Sequence, residues 1–175
     1  MAKSKQLPGQ LDLFDEIGIA PQNDSRRKKM KVREVISKCE ELLDVSYTKE
    51  DLLNCFNIVE NELALDYLPL YATHPCESKV VYYSEFQYNP VRIVGCNCAF
   101  KVYPTHIEAK ETITSIQYAY TPNKKTLYDE CSYSKEFLDC LVYGIISEYF
   151  VSQGFYEEAI LWSDKYKQEI KFLRI

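Results

Sequence analysis

Histidine is nearly absent from this 175-residue chain: His74 and His106 stand alone, each beside a proline turn and far from the other in sequence. The scarcity argues against the side chain that most general acid–base and nucleophilic sites depend on, and both read as surface histidines. Glycine is scarce too. Its five residues build no phosphate-binding loop or nucleophile elbow, and no metalloprotease helix motif is present. No apolar run approaches the roughly 18 residues of a membrane span. The N-terminus lacks the apolar core of a signal peptide, so the expected setting is the cytoplasm. Seven cysteines, an odd number without a disulfide-like framework, fit a reducing compartment. The expectation is a chain that is not an enzyme, binds no cofactor and enters no membrane.

What the chain has instead is tyrosine, fifteen residues of it. Tyrosine buries a ring while its hydroxyl stays paired or wet, which suits subunit interfaces as well as cores, so the surplus points toward an assembly protein. The length and a hydrophobic content of 46% suit one domain with a buried core. The formal net charge of −5 hides an asymmetry: residues 1–33 hold eight Lys or Arg against four Asp or Glu, and the remainder holds 13 against 22. A body that acidic repels nucleic acid rather than binding it.

Residues 1–30 are polar and interrupted by Pro8, Gly9, Gly18 and Pro21, and read as a flexible arm ahead of a single domain over 31–175. Within the arm, Gln10-Leu11-Asp12-Leu13-Phe14 resembles the peptide that bacterial DNA-transaction proteins insert into the sliding clamp. The blander reading, which we favour, is a half-turn of helix or an arm docked on a neighbouring subunit through Leu11, Leu13 and Phe14. Six of the eight residues Arg26–Arg33 are Lys or Arg, read as a solvated helix entry in preference to a nucleic-acid signal.

Helical spacing is plain in four places, over about 31–45, 49–66, 134–151 and 155–172. Val32, Val35, Ile36, Cys39, Leu42 and Leu43 line the first. The second, opened by Thr48 as N-cap and ended by Pro69, carries Leu52, Leu53, Phe56, Val59, Leu63 and Tyr67. The last two form a hairpin capped by Ser134 and turned at Gly154, with Leu138, Leu141, Val142, Ile145 and Tyr149 facing Phe155, Ala159, Trp162, Tyr166, Ile170 and Leu173. Trp162 is expected in the seam of that hairpin. Over about 79–121 the period shortens to that of strands. The fold class expected is α+β: a four-helix bundle-like core with a small antiparallel sheet inserted between the second helix and the hairpin. Tyr82, Tyr83 and Tyr118 include rings that such a sheet cannot bury, so they are candidate contacts. Cys96 and Cys98 could face one side of a strand and take a metal, but no second close pair exists, so buried thiols are expected instead. Asp129 and Glu130 read as a solvated loop or a helix cap rather than an acid–base pair.

Several stretches are similar to the tailed-bacteriophage head-to-tail connector (adaptor) proteins, of the type encoded in Firmicutes phages and prophages. They are Val142-Tyr143-Gly144-Ile145-Ile146-Ser147-Glu148-Tyr149, Gly154-Phe155-Tyr156-Glu157-Glu158-Ala159 and Trp162-Ser163-Asp164-Lys165-Tyr166-Lys167, preceded by Leu52-Leu53-Asn54, Glu62 to Pro69 and Thr126 to Glu130. The likeness runs from about residue 33 to 173, leaves the arm outside, and rests on packing residues with no catalytic side chain among them. It implies a virion-neck protein that assembles in the host cytoplasm as a ring below the portal, contacts portal and tail proteins, and extends a DNA channel without binding DNA specifically. The alternative is a replication or repair accessory recruited to the sliding clamp through Gln10–Phe14.

Overall fold

The computed structural model describes residues 29–174. In order they form β1 (Lys29–Lys31), α1 (Val32–Leu42), α2 (Lys49–Glu62), β2 (Leu70–Tyr82), β3 (Asn89–Cys96), β4 (Phe100–Val102), β5 (His106–Thr121), β6 (Glu130–Ser134), α3 (Leu138–Gln153) and α4 (Tyr156–Leu173). One π turn, Leu63–Tyr67, prolongs α2.

The helical layer is organised around α3. Its buried residues, Cys140, Leu141, Val142, Gly144, Ile145, Ile146, Ser147, Tyr149 and Phe150, are too many and too evenly spread for one stripe, as in a helix enclosed by neighbours. Those neighbours are α1, α2 and α4. Thr48 does start α2, its Oγ1 accepting the Asp51 N–H at 3.1 Å. Gly154 ends α3 at φ 80°, and the Gly154 and Phe155 N–H groups donate to Val151 O and Phe150 O, so α4 folds back antiparallel. Ser134 is not the side-chain cap of α3. It closes β6, and a short 3₁₀ turn, Lys135–Phe137, leads into the helix.

The expected four-helix bundle core does not form. Among the described residues the chain is α+β, with four helices and six strands in two antiparallel sheets, about one third of it strand. Met30 of β1, Cys131 and Tyr133 of β6, Leu68 after the π turn and Leu70 at the start of β2 belong to the same apolar core as the helices. The closing side of that core is the ribbon of β1 paired with β6, Lys29 opposite Ser134 and Lys31 opposite Glu130. Strands of three and five residues are too short to show alternation, and β1 lies inside a basic run, so the ribbon reads as arm and loop in the sequence.

The second sheet has four strands with a separate core. Central β5 pairs along one edge with the whole of β2, from Leu70 opposite Tyr120 to Tyr82 opposite His106. Along its other edge it pairs first with β4 and then with β3. Among the described residues no α-helix covers this sheet's core face. The link between β2 and β3 crosses it instead, stacking Phe86 on Tyr118 at 4.6 Å and Tyr88 on Tyr120 at 4.2 Å between ring centroids. β2 begins nine residues before the expected sheet because Pro75, a residue normally barred from central strands, sits on a free edge at an irregularity in register.

Candidate interaction surfaces

Three helices meet at Gly144. A Cβ built there would lie 2.7 Å from Val59 Cγ1 of α2 and 3.0 Å from Tyr166 Cε2 of α4, so the absence of a side chain sets how closely α2 and α4 approach α3. Tyr166 and Tyr149 are both buried, and the Tyr149 hydroxyl donates to Ser46 O at 2.6 Å. Trp162 is half-buried at the rim of the α3–α4 seam, its ring 5.7 Å from that of Tyr143 with Lys165 Nζ 4.1 Å above it.

Two buried polar side chains of α2 hold the segment before α3. The Asn57 amide donates to Lys125 O at 3.2 Å and accepts the Lys125 N–H at 2.6 Å. Glu60 accepts the Ser132 N–H at 2.6 Å, and burial raises its carboxyl above the usual carboxylate range. The same segment supplies carbonyls to the exposed N-terminus of α1: Asp129 O accepts from Val32 N–H and Leu127 O from Arg33 N–H. Asp129 and Glu130 are thereby committed locally. The Asp129 carboxylate accepts both the backbone N–H and the hydroxyl of Thr126, which hold it below its usual range, and Glu130 pairs with Lys29 at 3.0 Å. In the basic run, Lys31 Nζ donates to Tyr128 O.

The outer face of this layer is less complete than the inner one. Around the α3–α4 turn, Val151, Phe155, Tyr156, Ile160 and Leu161 are exposed large apolar side chains, and Phe172 near the end of α4 is 73% exposed.

At the far end of the four-stranded sheet, Tyr82, Tyr103 and His106 cluster, with the His106 ring 4.7 Å from Tyr103 and 5.4 Å from Tyr82. Beside them an open groove of about 520 Å³ is lined by Tyr83, Pro90, Val91, Arg92, Ile93, Phe100 and Val102. Of the three candidate contact tyrosines, Tyr82 is half exposed and Tyr83 is partly covered, its hydroxyl donating to Tyr103 O. Tyr118 is 1% exposed and unavailable to a partner, because the β2–β3 link supplies the ring cover that a bare sheet lacks. His74 packs on Phe86 at 4.8 Å, at the opposite end of β2 from His106.

Cys96 and Cys98 do lie together, with sulfurs 4.0 Å apart, and both are half-buried rather than enclosed. Among the described residues no group of three or more His, Cys, Asp or Glu is placed to hold a metal ion, and no helix is long and apolar enough to cross a membrane. Gln10, Leu11, Asp12, Leu13 and Phe14 lie outside the described residues. No protein-family model and no curated protein matches the chain.

Proposed function

We propose that the chain is a structural virion protein, a head-to-tail connector subunit of a tailed bacteriophage that assembles with copies of itself into a ring below the portal and extends the DNA channel. The observation that carries this reading is the exposed apolar surface around the α3–α4 turn, which overlaps the hairpin stretches similar to connector proteins and, among the described residues, leaves Phe155, Tyr156 and Ile160 more than half exposed. A subunit that finds its cover only on assembly has such a face. The excess of 22 acidic over 13 basic residues after position 33 suits a channel that DNA passes without sticking. The partners on this reading are the portal and the tail or neck proteins. The setting is the host cytoplasm during assembly and the virion neck afterwards, and the role is structural rather than catalytic.

The test is co-sedimentation with the portal encoded in the same genome, comparing wild type with the Tyr156→Glu/Ile160→Glu double variant. Both side chains already face water, so the variant should melt as wild type does yet lose most of its binding. Equal binding by the two proteins would remove this face from the interface.

A further inference from the structure

The seven cysteines divide into two populations. Cys39, Cys55, Cys131 and Cys140 are buried in the helical core, where loss of water pushes their thiols up to about 12, 11, 12 and 12, so almost none is thiolate near neutrality. Cys76, Cys96 and Cys98 are all half-buried and pack against the core of the four-stranded sheet. Cys76 already donates to Ile113 O at 3.5 Å.

Cys96 ends β3, and Cys98 lies in the break that separates β3 from β4. The side chain of Asn97 between them pins that break to β5: its amide nitrogen donates to Thr112 O at 3.1 Å, and its oxygen accepts the Thr114 N–H at 2.8 Å and the Ser115 N–H at 3.5 Å. With the backbone held at its centre, the turn presents both sulfurs on the same side, 4.0 Å apart. We propose that Cys96 and Cys98 are a dithiol modification site that closes to an intramolecular disulfide by exchange with a small-molecule disulfide such as oxidised glutathione.

The Cys96 thiol also lies 3.7 Å from Asn97 Oδ1, to which it donates, and the exchange can begin at either sulfur, here from Cys96. The Cys96 thiolate attacks one sulfur of glutathione disulfide and expels a glutathione thiolate, leaving a mixed disulfide. Cys98 then loses its proton and attacks the Cys96 sulfur, expelling the second glutathione thiolate. Two protein thiols are oxidised, one glutathione disulfide is reduced, and the two protons pass to the departing thiolates. Closure brings the sulfurs from 4.0 Å to about 2.05 Å.

The experiment treats the full-length chain with oxidised glutathione, alkylates the remaining thiols and digests with trypsin. The peptide Ile93–Lys101 should carry neither alkyl group nor glutathione and weigh two hydrogens less than the free dithiol, and reductant should restore the dithiol. Cys98→Ser should stop at glutathione on Cys96, and Cys76→Ser should react as wild type does. A peptide that stays fully alkylated, carries glutathione on both sulfurs, or is linked to Cys76 would overturn the proposal, and the wild-type result decides this whatever the variants do.

Discussion

Glu60 is the most exposing test of how the residues of this chain share burial and charge. It is 1% exposed, with one carboxylate oxygen held by Ser132 and the other without a partner among the described residues. Burial raises its carboxyl, so the folded state binds the proton more tightly than the unfolded chain does. Its contribution to stability is therefore complete below the ordinary carboxylate range and is lost as pH rises through the folded value. Glu60→Gln keeps an oxygen for Ser132 and removes the charge. The difference in melting temperature should be small near pH 4 and grow in favour of the variant toward pH 7, whereas a constant difference would show that Glu60 does not titrate in place. Gly154→Ala should cost about 1–2 kcal/mol in denaturant melts, because nothing lies near the added methyl and the penalty is that of a left-handed backbone alone. The glycine turn is readable from sequence. Glu60 is not, because its partner is 72 residues away and no local pattern announces it.

Among the elements, the contact of α2, α3 and α4 at Gly144 is the one with least tolerance. Gly144→Ala places a methyl against Val59 and Tyr166, and overpacking of this kind costs about 1–3 kcal/mol. Adding Val59→Ala should recover part of the loss, a coupling that denaturant melts of the single and double variants would measure. Trp162→Ala should cost less than the roughly 3–5 kcal/mol of an enclosed aromatic, since the ring is only half-buried, and less than Tyr166→Ala. The reverse order would mean that the seam is centred on Trp162. The helices are legible because their apolar residues repeat over three or more turns. The strands are legible only in part. Gly95 lies inside β3, and the interruption falls at residues 97–99, where Asn97 bonds to β5 rather than continuing the ladder. The β1–β6 ribbon exists because a long-range pairing closes the helical core, which local periodicity cannot express.

For the whole molecule, the tyrosine surplus is a weaker sign of assembly than the sequence suggests. Tyr118, Tyr133, Tyr149 and Tyr166 are core residues, and Tyr133 uses its hydroxyl to bond Leu68 O. The exposed apolar side chains around the α3–α4 turn bear the weight instead. Ile160 and Leu161 lie off the stripe that faces α3, so helical periodicity assigns them no inner partner. Electron microscopy of the purified chain mixed with the portal of its own genome tests the connector reading most directly. A ring of added density is expected on one end of the portal, reduced or absent with the Tyr156→Glu/Ile160→Glu variant. A portal left bare at micromolar concentrations of well-folded chain would contradict it.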